Sequence, residues 1–316
     1  MTWGAQTLLL VLATGALGVG VGLLWRRIAL NERAARAAID LAREAQRGER
    51  FSHAVEQLGD ERLEVRLGAI YALEQVATES AAHHGPAVEV LCAFLRSRAG
   101  WEPGREPLPR LPTDVQAVLT VLGRRDRSRE TDARLDLRHT DLRGADLNGA
   151  HLARADLYEA HLEGASLQGA QLAAADLRGA HLTSADLLEA NLRGADLRQA
   201  NLESAYLVEA HLEGADLGGA HLGGAYLGGA HLEGADLVGA QLEGAYMFKT
   251  HLDGARLESA RAISPVGIHR DQRTRSSRTG AAADEAAVGG PTGPVSLRRN
   301  PLAKPVSLRR RRRARK

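Results

Sequence analysis

Aromatic residues, cysteine and lysine are scarce in this chain. Its 316 residues include 3 Trp, 5 Tyr and 3 Phe. A conventional core uses more rings than that, so the body has to be built from small and aliphatic side chains. The one cysteine, Cys92, excludes a disulfide framework within the chain and fits a reducing compartment. It lies on an apolar helical stripe, where a thiol is a small core residue. No proline falls within residues 113–264. Ser-His-Asp order, a Cys-His pair, a phosphate-binding loop and zinc-finger spacing are missing too. No catalytic residue, cofactor site or metal site is therefore expected, and the chain does not read as an enzyme.

The net charge of +2 hides an uneven distribution. Residues 1–134 carry 18 Lys and Arg against 17 Asp and Glu, residues 135–262 carry 9 against 19, and residues 263–316 carry 14 against 3. An acidic body thus precedes a basic tail, an asymmetry typical of interaction tails.

Residues 3–25 form an apolar run with a tryptophan at each end, Trp3 and Trp25, followed at once by Arg26 and Arg27. Twenty-three residues span roughly 34 Å as a helix, enough for a bilayer core. The terminal rings suit the two interfaces, and the arginine pair places the N-terminus outside and the remaining chain in the cytoplasm. Residues 1–27 are thus expected to be a single-pass anchor and flank in the inner (plasma) membrane.

Residues 28–134 read as an α-helical segment. A helix is expected from Ile28 to about Gln46, with Glu32 and Arg36 paired at i, i+4. Apolar stripes at Leu63, Leu67, Ile70, Leu73 and Val76, at Val88, Leu91, Cys92 and Leu95, and at Val115, Val118, Leu119 and Leu122 predict three further helices. The last carries a capping-box pattern, Thr113-x-x-Gln116. Trp101 to Pro112 holds four prolines and reads as a loop. His83 and His84 are expected in a solvated turn. The stretch from Glu64 to Leu73 resembles one helix of a HEAT-type repeat, which cannot bury its own face and suits a cap.

The dominant signal lies in residues 135–262. Leu recurs at every fifth position from Leu137 to Leu242, and Ala two residues earlier from Ala145 to Ala245, with Thr250 an exception further on. Leu spaced by five would scatter around an α-helix and alternate faces on a plain strand. Ala and Leu two residues apart do share a face of a short strand, so a chain that bends sharply after each three-residue strand points every Ala and Leu inward. Gly two residues after Leu, as at Gly144 and Gly219, suits such corners.

Units such as Ala145-Asp-Leu-Asn-Gly and Ala195-Asp-Leu-Arg-Gln resemble those of the pentapeptide-repeat family, over about 40% of the chain. The resemblance implies a mainly β fold, a right-handed quadrilateral β-helix with four repeats per coil. The helical segment ahead of the repeats resembles that of membrane-anchored actinobacterial members. With 20 residues per coil, residues 20 apart stack in columns.

One face then carries Asp156, Asp176, Asp196, Asp216 and Asp236, an anionic surface for a basic partner. A second carries Tyr206, Tyr226 and Tyr246, with Leu188, Val208, Phe248 and Met247 in or beside those columns. Outward aromatics of this kind mark an interface with a second copy, as a homodimer, or with a protein partner. Two faces hold histidine columns, in which Gln171, Asn191, Asn201 and Gln241 interchange with His, so these histidines read as polar spacers. Residues 263–316 read as a disordered basic tail, suited to anionic lipid, to nucleic acid or to the acidic rod. Nucleic acid is not otherwise expected as a partner. The leading expectation is a non-catalytic, membrane-anchored scaffold binding proteins through flat outer faces. The alternative implied by the resemblance is a DNA-mimicking, gyrase-protecting protein that binds a topoisomerase.

Overall fold

The structure, a computed structural model, describes residues 3–104, 110–125 and 134–261, with helical backbone alone for residues 3–25, 28 and 29. The basic tail and the side chains of Trp3 and Trp25 therefore lie outside the described residues. Helix α1 spans Trp3–Gln57, α2 Leu63–Glu79, α3 Ala81–Arg98 and α4 Thr113–Gly123. Among the residues whose side chains are described, which exclude residues 3–25, no helix is long and apolar enough to cross a membrane.

α1 runs eleven residues past the expected end at Gln46. The reason is tertiary: Ala54 is buried in the core of the helical segment, with Phe51 and Val55 packed against it. Further up, residues 30–42 are exposed on every side, including Leu30, Ile39 and Leu41. The expected Glu32–Arg36 pair forms at 3.7 Å.

The three stripes form the core of α2, α3 and α4, with Ile70, Leu73, Leu91, Leu95, Leu119 and Leu122 fully buried. Cys92 is buried there, and burial pushes its thiol up to about 11, so it stays protonated. His83 and His84 are in helix, not in a solvated turn. α3 starts at Ala81, which turns the His84 ring into the core and leaves His83 within 3.2 Å of Glu44. Asp114 is buried at the start of α4. Its Oδ2 accepts from Arg66 Nε of α2 at 2.8 Å and from Arg98 Nη2 of α3 at 3.2 Å. Arg66 also donates to the carbonyls of Asp60 and Glu61. One carboxylate thus joins three helices.

From Asp136 to Arg261 the chain is a four-sided β-helix. Parallel bridges join residue n to residue n+20 at every fifth residue, beginning with Asp136 to Asp156 and ending with Gln241 to Arg261. A coil is therefore 20 residues with one bridge per side, and the rod is about 30 Å long at strand spacing. Each side ends in a turn in which Ala accepts the bend by donating back to the preceding Leu carbonyl, as from Ala145 N to Leu142 O at 3.0 Å. The residue before that Ala has positive φ, +67° at Gly144, where glycine carries no steric cost.

Every repeat Leu from Leu137 to Leu242 is buried, as is every repeat Ala from Ala145 to Ala245. Each buried Leu contributes on the order of 1.5–3 kcal/mol, so the interior ladder dominates the stability of the rod. Met247 continues the leucine ladder inside and is no part of the outer face. Thr250 takes an alanine place; its buried hydroxyl donates to the Leu227 carbonyl at 2.8 Å.

The helical segment closes the first coil. In every later coil the N–H at the position before Leu donates to a carbonyl one coil below. In the first coil those acceptors come from the cap. Asp141 N donates to Ala99 O at 2.6 Å, His151 N to Gly123 O at 2.8 Å, and Asp146 N to the side-chain Oε1 of Gln116 at 3.0 Å. Gln116 Nε2 donates in turn to Asp146 O at 2.8 Å. Gln116 is thus committed to the rod, and the expected capping box does not form: the residue before α4 is Pro112, which has no side-chain cap bond, and Thr113 is already helical.

Candidate binding surfaces

The pleat that buries Ala and Leu sends the residues between and after them outward, so the four faces are fixed by the repeat. The tyrosine face divides into two halves. In the earlier coils it is a closed polar network. Asn148 Oδ1 accepts from Ser166 Oγ at 2.8 Å and from Gln168 N at 2.9 Å, and Gln168 Nε2 donates to Asp186 Oδ2 at 2.5 Å. In the later coils it is aromatic. Tyr206 and Tyr226 stack with centroids 4.9 Å apart and planes 3° apart; Tyr226 and Tyr246 stack at 4.9 Å and 4°.

Tyr206 is 37% exposed, Tyr246 40% and the neighbouring Phe248 57%. Leu188 and Val208 are half-buried beside them. In the column Leu188, Val208, Gly228, Phe248 the glycine leaves a gap one side chain high, so the apolar half carries a notch. Glu189 and Glu209 stand at its corner and Lys249 at its end, with Lys249 Nζ 5.4 Å from the Phe248 ring centroid.

The aspartate face is a ladder of ion pairs. Arg178 lies 2.5 Å from Asp176 and 3.6 Å from Asp196 of the next coil; Arg198 lies 2.5 Å from Asp196 and 3.4 Å from Asp216. Arg256 reaches Asp236 at 2.7 Å. Hydrogen bonds from Arg178 hold the Asp176 carboxyl below its ordinary range. Each Asp Oδ1 also accepts the backbone N–H two residues on, as from Tyr158 to Asp156 at 3.2 Å and from Gly218 to Asp216 at 3.0 Å. This is an Asx turn, which gives the acidic residue a local structural task. The face holds the column expected from the sequence, with arginines set between its carboxylates.

The histidine faces bring together groups that column statistics treat separately. His161, at 7% exposure, is sandwiched between Trp101 at 3.5 Å and His181 at 4.2 Å, and its Nδ1 lies 2.9 Å from Glu163 Oε1. Burial, then the neighbouring His161, pushes His181 below the ordinary histidine value. On the other histidine face His211, His231 and His251 stack at 5.0 and 4.6 Å, with Glu213 and Glu233 alongside. Two groups, His161–Glu163–His181 and His231–Glu233–His251, have ligand-type atoms within 4.8 Å of one another. The sequence carried the signal in His161-Leu-Glu, His211-Leu-Glu and His231-Leu-Glu, since residues two apart in this repeat both point outward. Of the anchor residues, Arg26 and Arg27 lie exposed on α1.

The pentapeptide-repeats family model matches in eight copies over residues 136–172, 165–203, 205–237 and 225–261. Proteins of this family form right-handed β-helices. HetL, a pentapeptide repeat protein involved in heterocyst differentiation regulation in the cyanobacterium Nostoc sp. strain PCC 7120, is 36% identical over 42% of this chain and 73% of its own, with a TM-score of 0.26. A pentapeptide repeat protein of the Arabidopsis thaliana thylakoid lumen is 32% identical over 34% of this chain and 79% of its own, with a TM-score of 0.30. QnrB1, a plasmid-mediated fluoroquinolone resistance protein, is 22% identical over 46% of this chain and 85% of its own, with a TM-score of 0.24. No curated protein is similar enough to this chain to count as a match.

Proposed function

The chain belongs to the pentapeptide-repeat family, and from that premise we propose that it is a non-catalytic scaffold at the cytoplasmic face of the plasma membrane that binds a protein partner through the outer faces of its β-helix. The observation that carries this reading is the division of the tyrosine face. Its polar half is joined by hydrogen bonds among its own side chains, whereas its apolar half exposes Tyr206, Tyr246 and Phe248 around a notch at Gly228. An apolar patch next to self-satisfied polar surface is suited to burial against another molecule.

The anchor in this reading is the apolar run at residues 3–25, continuous in backbone with the rest of α1. Residues 26–43 would then act as a stalk of about 27 Å between bilayer and body. A DNA-mimicking role is the less favoured reading, because Arg178, Arg198 and Arg256 interrupt the aspartate column that would imitate phosphates.

Two experiments test the proposal. Cells expressing the full chain, and a version lacking residues 1–27, are fractionated with salt and detergent washes. Release of the full chain by detergent alone, with a soluble truncation, supports the anchor; release by salt refutes it. The double change Tyr206→Asp with Tyr226→Asp should abolish self-association or partner capture. Unaltered assembly of the variant would remove the tyrosine face from consideration.

A further inference from the structure

We propose that His231, Glu233 and His251 form a binding site for a divalent transition-metal ion of the zinc class. The site belongs to a different face from the tyrosines and does not depend on the partner reading. His231 and Glu233 flank Leu232 on one strand and so project side by side; His251 stands one coil above His231. Glu233 Oε1 lies 3.3 Å from His231 Nδ1 and 4.0 Å from His251 Nδ1. The other carboxylate oxygen, Oε2, is buried and has no hydrogen-bond partner among the described residues.

The coil below shows what this arrangement accommodates. There Arg193 Nη2 lies 3.1 Å from His211 Nδ1 and 2.7 Å from Glu213 Oε1. A guanidinium, a cation, occupies the position between imidazole and carboxylate. The residue that stands below Glu233 as Arg193 stands below Glu213 is Glu213 itself, a carboxylate. The same His-Leu-Glu pair thus recurs one coil up with a carboxylate at the column position that Arg193 holds below Glu213, and with Arg193 near enough for its charge to act on Glu233. The third copy, His161 with Glu163 and His181, is roofed by the Trp101 ring. Among the described residues the His231 group has no such cover, with side chains 31%, 35% and 50% exposed for His231, Glu233 and His251.

Two imidazole nitrogens and one carboxylate oxygen are a zinc donor set, with a fourth position left for water. Ligands about 2.0–2.2 Å from a tetrahedral ion are separated by roughly 3.3 Å. His231 and Glu233 already meet that spacing. His251 has to tilt inward from its parallel stack on His231, where centroids are 4.6 Å apart. It is half-exposed and the last histidine of its column. An ion held this way ties two successive coils together and stabilises the later end of the rod by mass action.

The test is calorimetric titration of zinc chloride into the purified, untagged full chain in detergent and chelator-free buffer, with magnesium chloride as the hard-ion control. One zinc ion per chain is expected, magnesium is not, and zinc should raise the melting temperature. His231→Gln should weaken zinc binding at least about tenfold; Gln171 stands in the same column, so the fold tolerates this residue. Glu213→Arg, which sets a guanidinium below Glu233, should have the same effect on zinc. His161→Gln should leave binding unchanged. Absence of zinc binding at 100 µM, on the order of 10⁻⁴ M, would overturn the proposal. So would wild-type affinity in His231→Gln chains of unchanged circular dichroism, or loss of binding in His161→Gln.

Discussion

The side-chain amide of Gln116 pairs with both backbone groups of Asp146, donating to its carbonyl at 2.8 Å and accepting its N–H at 3.0 Å. A helix side chain thereby takes the place of a strand below the first coil, between the backbone carbonyls of Ala99 and Gly123 on the neighbouring sides. Gln116→Ala should destabilise the chain by about 1 kcal/mol, modest because water can reach both groups. Gln116→Glu keeps the acceptor but not the donor and should fall between the two. Amide exchange at Asp146 measures the effect locally; unchanged protection in Gln116→Ala would show that the cap holds without this pair.

The Arg66–Asp114 pair carries a larger prediction. Asp114 is buried, receives two arginines from two helices, and accepts its neighbour Val115 N at 3.0 Å. Asp114→Ala leaves Arg66 buried without its anion and should cost about 3–5 kcal/mol. Replacing both partners with apolar residues, as in Arg66→Met with Asp114→Leu, should recover most of that loss. Denaturant midpoints of the two variants decide the matter: if the double variant is no more stable than the single one, the pair is not what holds the three helices.

Much of the rod could be read from the sequence because its physics is periodic. Leu137 to Leu242 and Ala145 to Ala245 repeat with a period no helix or plain strand can bury, and each falls inside. The stacking of Tyr206, Tyr226 and Tyr246 follows from the same register. The cap was less legible. Gln116 looked like half of a capping box because that pattern is local, whereas its partner Asp146 lies thirty residues away. Arg66 and Asp114 are separated by 48 residues, and no spacing rule links them. The burial of His161 depends on Trp101, which arrives from a proline-rich loop through the antiparallel bridge of Gly100 to Thr140. The aspartate column was visible, but not the conversion of its carboxylates into turn acceptors.

Acid should weaken the rod through Glu213. Burial alone would raise its carboxyl, but the hydrogen bonds from Arg193, its own backbone N–H and His211 bring it down to about 2 from an ordinary 4.5. A depressed carboxylate contributes stability above its unfolded value and loses it as pH falls through the folded one. The contribution is thus complete above about 4.5 and disappears as pH approaches 2. Arg193→Met should flatten the melting-temperature profile across that window while leaving its slope near neutrality unchanged. A profile as steep as the wild type's would assign the acid sensitivity to other carboxylates.

Two glycine-to-alanine changes in the helical segment should have opposite signs. At Gly123, the end of α4, an added Cβ would sit 2.9 Å from Ala150 Cβ in the first coil. The neighbouring atom belongs to the packed base of the rod, and the Gly123 carbonyl also receives His151 N at 2.8 Å, so neither side can withdraw without breaking the closure. Gly123→Ala should therefore destabilise by about 1–3 kcal/mol, the range for overpacking. Gly68 lies inside α2 with nothing among the described residues within 4 Å of the same added atom. There alanine removes unfolded-chain entropy and raises helix propensity, a gain of about 0.4–1 kcal/mol. Urea midpoints of the two variants separate packing from propensity: destabilisation by both would mean that α2 is crowded in solution, and stabilisation by both would mean that α4 does not press on the rod as closely as 2.9 Å implies.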